Sequence, residues 1–538
     1  MTAILSLDKV SVSLPPGADR AYALSDVSLD VNRGEIVCVV GESGSGKSMT
    51  ANAVMRLLPH GVAIQGGHIV FDGQDLAAVT EGQMRRIRGA RLAMIFQEPM
   101  TALNPLRTIG DQIGETFRIH TDMGNADIGR KVLELLTEVK IPDPEQAMRA
   151  FPHELSGGQR QRAMIAMALA LDPAVLIADE PTTALDVTTQ AQILALIRDL
   201  QRRKGTAVLF ITHDFGVVRE IADRVVVMQN GRVVEQGPAS QVLDAPSHAY
   251  TRQLIAAVPA LRAPPPRAIS ENVVLMLRHV SKTYRKRSPF GRTTRTTHAV
   301  KDVSLALARG STLGIVGESG SGKSTLARCI VRLVEVDAGA IALDGLDLTT
   351  LSRSQMRAER HRIQMVFQDP FGSLNPRRRA GELVAQGLIA RNVPKIEALA
   401  KAQELFELVG LDRRAIDRFP HEFSGGQRQR IGLARALALS PQVLVADEPV
   451  SALDVSVQAQ VLVLLGDLRT KLGLSTVFIT HDLRVAAQVC DFVAVMKAGE
   501  VVEYGPIGKV FGDPTHAYTR ELLDSIPGRN AGLDSAVN

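Results

Sequence analysis

Gly41-Glu42-Ser43-Gly44-Ser45-Gly46-Lys47-Ser48 is the stretch that decides the fold. It fits G-x-x-x-x-G-K-[ST], a loop whose backbone cradles phosphate. An apolar run, Ile36 to Val40, precedes it, and a helix-compatible segment, Met49 to Leu58, follows. Glycines let successive N–H groups turn toward one anion, and the helix behind adds its positive N-terminal end. In that pattern Gly41, Ser43, Gly44 and Gly46 shape the cradle. Lys47 reaches the β- and γ-phosphates, and the Ser48 hydroxyl ligates Mg²⁺. The competing reading is a chance Gly-rich turn. It fails because the same eight letters recur at Gly317 to Ser324. Gly317, Ser319, Gly320, Gly322, Lys323, Ser324 and the following Thr325 take the same parts in the second copy.

The repeat reaches far beyond the loop. Lys323 follows Lys47 by 276 positions, Gln368 follows Gln97 by 271, and Ser424 follows Ser156 by 268. The last offset then holds from Asp179/Asp447 through His213/His481 to His248/His516. Insertions and deletions therefore fall early in each half. The economical reading is two homologous domains, 1–262 and 272–528, separated by a linker at 263–271. The run Ala263-Pro264-Pro265-Pro266-Arg267 in that linker makes a short semi-rigid spacer. The Gly-, Asn- and Ser-containing tail, 529–538, is expected to be disordered.

Composition limits the function classes. The chain has 538 residues, 45% hydrophobic and 22% charged, which is ordinary for a globular protein with several cores. Aromatics make up 4% and Trp is absent, so no stacking platform for nucleic acid is supported, and none is expected as a partner. The net charge of +5 suits a polyanionic ligand or an anionic surface. Cys38, Cys329 and Cys490 are far apart and lack metal-ligand spacing, so core packing is expected of Cys38 and no disulfide framework or zinc site is proposed. Met1 to Leu14 alternates and carries charge, unlike a secretory signal. No uncharged apolar run reaches the roughly 18 residues of a spanning helix.

Within each half, short apolar strands alternate with helical patterns, which implies a mainly parallel sheet covered on both faces. Val175 to Ala178 ends at Asp179-Glu180, and Val443 to Ala446 ends at Asp447-Glu448. Beside a phosphate loop, the first acid is placed for the Mg²⁺ shell and the second for activating water. Alone, each pair would read as surface acids at a strand end. His213 and His481 close two further strands and are placed to contact γ-phosphate and water. Gln97 and Gln368, in Phe-Gln-Glu-Pro and Phe-Gln-Asp-Pro, are further Mg²⁺ ligands in this reading. Ser156-Gly157-Gly158-Gln159 and Ser424-Gly425-Gly426-Gln427 each open an Arg- and Ala-rich helix, as an N-cap and as a second anion-binding end.

The order phosphate loop, Gln, S-G-G-Q, strand-Asp-Glu-Pro, Ala-Leu-Asp, His resembles that of the ATP-binding cassette (ABC) ATPases over nearly the whole chain. The resemblance implies an α/β fold of two tandem nucleotide-binding domains, each a phosphate-loop core with a β-rich edge and a helical subdomain. It makes Ala184-Leu185-Asp186 and Ala452-Leu453-Asp454 the D-loops, His213 and His481 the switch histidines, and ATP the nucleotide. It further implies head-to-tail pairing, with ATP on the Lys47 loop capped by Ser424 to Gln427 and ATP on the Lys323 loop capped by Ser156 to Gln159. Both sites retain their Lys, Asp, Glu and His, so two competent sites are expected. Tyr284 resembles the adenine-stacking position. The first half has Ser13-Leu14 there, with Tyr22 the nearest aromatic, and both tyrosines remain open to an ordinary surface role.

Two further stretches resemble the ATPases of dipeptide, oligopeptide and nickel importers. They are Gln97 to Pro105 with Gln368 to Pro376, and His-Ala-Tyr-Thr-Arg at His248 and His516. That likeness implies an energising subunit for peptide import at the cytoplasmic face of the inner membrane. Its expected partners are two integral membrane permease subunits and, through them, an extracytoplasmic solute-binding protein. The cysteine cluster that many members carry is missing, so no iron–sulfur cluster is expected. A soluble tandem-cassette translation factor is the alternative. The short Pro-rich join disfavours it, since that family carries a long charged helical linker.

Overall fold

The computed structural model describes residues 3–18, 20–182, 185–262, 267–287, 293–451 and 453–529. Ala184, Ala452, the run Pro264 to Pro266 and the tail from Asn530 lie outside the described residues. The described chain forms two copies of one pair of sheets. In the first half, strands Tyr22–Val31, Leu5–Ser13, Ala63–Phe71 and Gln74–Asp75 make an antiparallel sheet in that spatial order. The second sheet runs Arg232–Pro238, Arg224–Gln229, Ile36–Val40, Ala207–Ile211, Val175–Asp179 and Leu92–Ile95. Its members are parallel except the edge strand Arg232–Pro238. The second half repeats both orders around the central strand Thr312–Val316.

Burial on both faces explains the uninterrupted apolar strands. Successive side chains of a strand point to opposite faces. Cys38 and Val40 accordingly join the core beneath the helices, while Val37 and Val39 join the core shared with the antiparallel sheet. The expectation of packing at Cys38 holds, since all three cysteines are buried, and burial pushes their thiols up. The halves fill one space differently. Cys38 and Ala222 of the first half stand where the second has Gly314 and Cys490, and a Cβ on Gly314 would lie 2.8 Å from the Cys490 sulfur.

The helix-rich insert of the first half comprises Ile109–His120, Asn125–Glu138 and Pro144–Arg149. Ile109, Ile113 and Phe117 on one helix, with Ile128, Val132 and Leu136 on the next, recur at a four-residue spacing that makes one apolar stripe. These stripes pack against helix Gly157–Leu169, which places the S-G-G-Q stretch at the rim of this subdomain. The two halves also meet directly. Val187 of the first is buried in one cluster with Val450, Leu453 and Leu483 of the second.

Candidate functional site

Each phosphate loop leaves the end of a central strand and opens a helix, Lys47–Met55 or Lys323–Ile330. Glycine is required at two points of the turn. Gly41 (φ 151°) and Gly317 (φ 148°) would bring a Cβ within 2.2 Å of the carbonyls of Met228 and Met496. Lys47 is buried, and its Nζ donates to the carbonyls of Gly41 at 2.7 Å and Glu42 at 2.9 Å. Lys323 does the same to Gly317 and Glu318, at 2.7 Å each. Burial lowers both ammonium groups, and the nearby carboxylates oppose it: Glu180, Asp454 and Asp179 for Lys47, and Glu448, Asp186 and Asp447 for Lys323. Asp454 and Asp186 each belong to the other half.

The acids at the strand ends face the loops as the sequence suggests. Ser48 donates its hydroxyl to Asp179 at 3.0 Å, and Ser324 to Asp447 at 3.1 Å. Burial pushes the Asp179 carboxyl up to about 6, against the Ser48 hydrogen bond, and raises Asp447 as well. Glu180 and Glu448 both sit in the left-handed region, at φ 47°. A non-glycine residue held there stores strain, and such positions cluster at working sites. The side chains have matching partners. The Gln97 amide donates to Glu180 at 3.0 Å and Gln368 to Glu448 at 2.8 Å. His213 and His481 approach the same two carboxylates through Nδ1.

Ser43, Gly44, Gly46, Lys47 and Ser48 line a cavity of about 760 Å³ together with Gln97, Glu180 and His213. Leu453 and Asp454 come to its wall from the second half. Ser424 to Gln427 are not among its walls. Those residues, like Ser156 to Gln159, form reciprocal capping boxes. Ser156 Oγ accepts from the Gln159 amide while the Gln159 side chain accepts from Ser156 N–H, and Ser424 with Gln427 repeats this. A capping box joins two otherwise unpaired donors. Gly426 also has a packing role, because a Cβ there would meet Val457 at 2.3 Å; Gly158 faces Thr189 at 3.2 Å, while Gly157 meets nothing within 4 Å and Gly425 only Leu453 at 4.0 Å. Asp186 caps helix Val187–Lys204 through its side chain, whereas Asp454 starts helix Val455–Leu472 without a side-chain cap bond.

The Lys323 loop has the same local arrangement: Gly320 and Gly322 lie at φ 81° and 105°, and Thr325 falls in the first turn of its helix. Tyr284 is exposed on strand Val273–Arg287, with the Lys282 ammonium 5.9 Å from its ring centre. Tyr22 is exposed too, and the first cavity is walled instead by Leu14 and Arg20. Sequence reasoning missed Arg20. Its guanidinium donates to the Gly44 carbonyl, a contact between residues far apart in any motif pattern.

The ABC transporter family profile matches residues 24–183 and again 300–451. A second profile, "Oligopeptide/dipeptide transporter, C-terminal region", matches 234–293 and 502–537. The chain is 48% identical to the peptidoglycan transport ATP-binding protein YejF of Agrobacterium fabrum, across 97% of this chain and 96% of that one. It is 46% identical to the glutathione import ATP-binding protein GsiA of Escherichia coli O157:H7, across 97% of this chain and 89% of that one.

Proposed function

The chain belongs to the ABC transporter family, and from that membership we propose that it is the ATP-hydrolysing, energy-coupling subunit of a peptide-type importer. The observation that carries this reading is the presence, in both halves, of the cassette and of the oligopeptide/dipeptide C-terminal region. Relatives named for peptidoglycan transport and glutathione import support a peptide-like solute. The ribosomal alternative gains no support from them.

Two cassettes, 1–262 and 272–528, then work as a pair with one ATP at each loop. Lys47 and Lys323 give up their carbonyl partners for the β- and γ-phosphates, whose charge restores the ammonium form that burial disfavours. Glu180 and Glu448 take the proton of the attacking water. Their strained backbone and their Gln and His partners hold each carboxylate in one orientation before ATP arrives. His213 and His481 hold that carboxylate from the other side and contact the γ-phosphate. Asp454 and Asp186 report the approach of the opposite half. Ser424 to Gln427 and Ser156 to Gln159 form the opposing lids, and Tyr284 stacks on adenine in the second site.

The oxygen set of Ser48, Gln97 and Asp179, repeated by Ser324, Gln368 and Asp447, fits Mg²⁺, a hard cation that takes few protein ligands. The raised Asp179 carboxyl agrees with the fit, being a buried acid that a cation would ionise. Held by these residues, Mg²⁺ would supply positive charge to offset that of the phosphates.

Among the described residues no helix is long and apolar enough to cross a membrane. Transport then requires two integral membrane permease subunits and, through them, an extracytoplasmic solute-binding protein, and we place this chain peripherally at the cytoplasmic face of the inner membrane. Isolating the chain from membranes with its partners, and measuring ATPase activity stimulated by the loaded binding protein, tests this. Stimulation by ribosomes with no membrane partner would contradict it.

A further inference from the structure

Outside the motifs that carry the chemistry, a contact to the phosphate loop recurs atom for atom in both halves. The hydroxyl of Tyr250 accepts a hydrogen bond from the backbone N–H of Glu42 at 3.1 Å, and that of Tyr518 from Glu318 at 3.2 Å. Glu42 and Glu318 are the second residues of the two phosphate loops, and each tyrosine lies some 200 positions away in sequence. Both tyrosine side chains are buried, at 6% and 2% exposure. A buried tyrosine hydroxyl will take some partner, so one such bond would mean little. Two copies with different surroundings mean more. The Lys497 ammonium stands 4.3 Å over the Tyr518 ring, where the first half has Gln229, yet the bond to the loop is the same.

Glu42 is thereby held at both ends of one residue. Its N–H goes to Tyr250 and its carbonyl to Lys47 Nζ. When Lys47 leaves that carbonyl for phosphate, the Ser45 N–H still holds the carbonyl at 3.1 Å and the tyrosine still holds the N–H. The clamp is itself braced. His248 caps helix Ala249–Ala256 by accepting from the Tyr250 N–H, and Glu235 accepts from the Ser247 and His248 amides at 2.7 and 3.1 Å. His516, Glu503 and Thr515 repeat this brace around Tyr518. Burial, outweighing the Glu42 amide, pushes the Tyr250 phenol up to about 12, so it stays neutral in any working buffer.

We propose that Tyr250 and Tyr518 are positioning residues for the two phosphate loops, and that the His-Ala-Tyr-Thr-Arg element backs each of these loops. A loop amide fixed in advance lowers the ordering needed when phosphate binds. The inference rests on reading both loops as ATP sites.

The test uses the full-length chain with Tyr250→Phe and Tyr518→Phe, which keep the ring and remove only the hydroxyl. Losing one hydrogen bond at the loop should weaken binding of a fluorescent ATP analogue roughly fivefold at the altered site. KM for ATP should rise by more than kcat changes, and amide hydrogen exchange in the peptide spanning the loop should quicken. A role in core packing alone would lower Tm and leave affinity and KM at wild-type values, which would overturn the inference. So would unchanged loop exchange. A wild-type chain that fails to bind the analogue would sink the ATP-site reading itself, whereas wild-type binding matched by both variants sinks only the positioning role.

Discussion

Nδ1 of His213 lies 3.3 Å from a carboxylate oxygen of Glu180. His481 stands 3.2 Å from Glu448 in the second half. Burial pulls each imidazole down, but the hydrogen bond and charge of the glutamate outweigh it, and both histidines are raised above the ordinary value. A group that holds the proposed general base in this way should matter to turnover far more than to binding. His213→Ala with His481→Ala should reduce phosphate release about 100-fold and leave equilibrium ATP binding within a few-fold. Phosphate release and filter binding on the same preparation check this.

Asp454 and Asp186 connect each phosphate loop to the other half. Asp454 lines the Lys47 cavity, and Asp186 is near enough to Lys323 to act on its charge. Asp454→Ala should therefore weaken the Lys47 site by about tenfold and the Lys323 site by much less, with Asp186→Ala giving the reverse. Photolabelling with azido-ATP, with labelled peptides assigned to each half, reads the two sites separately. Equal loss at both would contradict the pairing.

Most of the candidate site's placement was legible in the sequence because these motifs use fixed spacings. The loop, Asp179-Glu180 and His213 could be placed on strand ends from apolar runs and punctuation alone. Position relative to the opposite half was less legible. Asp454 was assigned by resemblance, and its place at the Lys47 cavity depends on how Val187, Val450 and Leu453 pack between halves. Arg20 and Tyr250 were opaque for a different reason. Each meets the loop through a backbone atom, and backbone partners leave no residue-type pattern to read. The left-handed backbone of Glu180 was equally hidden, since glutamate carries no signal for positive φ.

Glu235 gives a pH-dependent prediction. Burial pushes its carboxyl up, but the Thr251 hydroxyl and the hydrogen bonds it accepts from Ser247 and His248 prevail and hold it at about 2, below its ordinary 4.5. A depressed acid stabilises the fold above its unfolded value and loses that contribution as pH falls through the folded one. Glu235→Gln should thus cost about 2 kcal/mol at pH 7. The gap to wild type should narrow from about pH 4.5 down toward 2. Denaturant melts across that range measure it.

Pro527 links the two halves. Its carbonyl accepts from the Arg484 guanidinium at 2.9 Å, and a Cβ on Gly216 of the first half would lie 2.7 Å from the same oxygen. Gly216→Ala should displace that segment, cost about 1–3 kcal/mol and speed proteolysis near Pro527. Gly432→Ala, where a Cβ meets nothing within 4 Å, should leave both unchanged or raise stability slightly.

Hydrolysis at the two phosphate loops is proposed to depend on Glu180 and Glu448. The direct measurement is ATP binding and phosphate release by the double variant Glu180→Gln with Glu448→Gln. ATP should stay bound on a closed pair of cassettes, with phosphate release down at least about 100-fold. Turnover at the wild-type rate would contradict it.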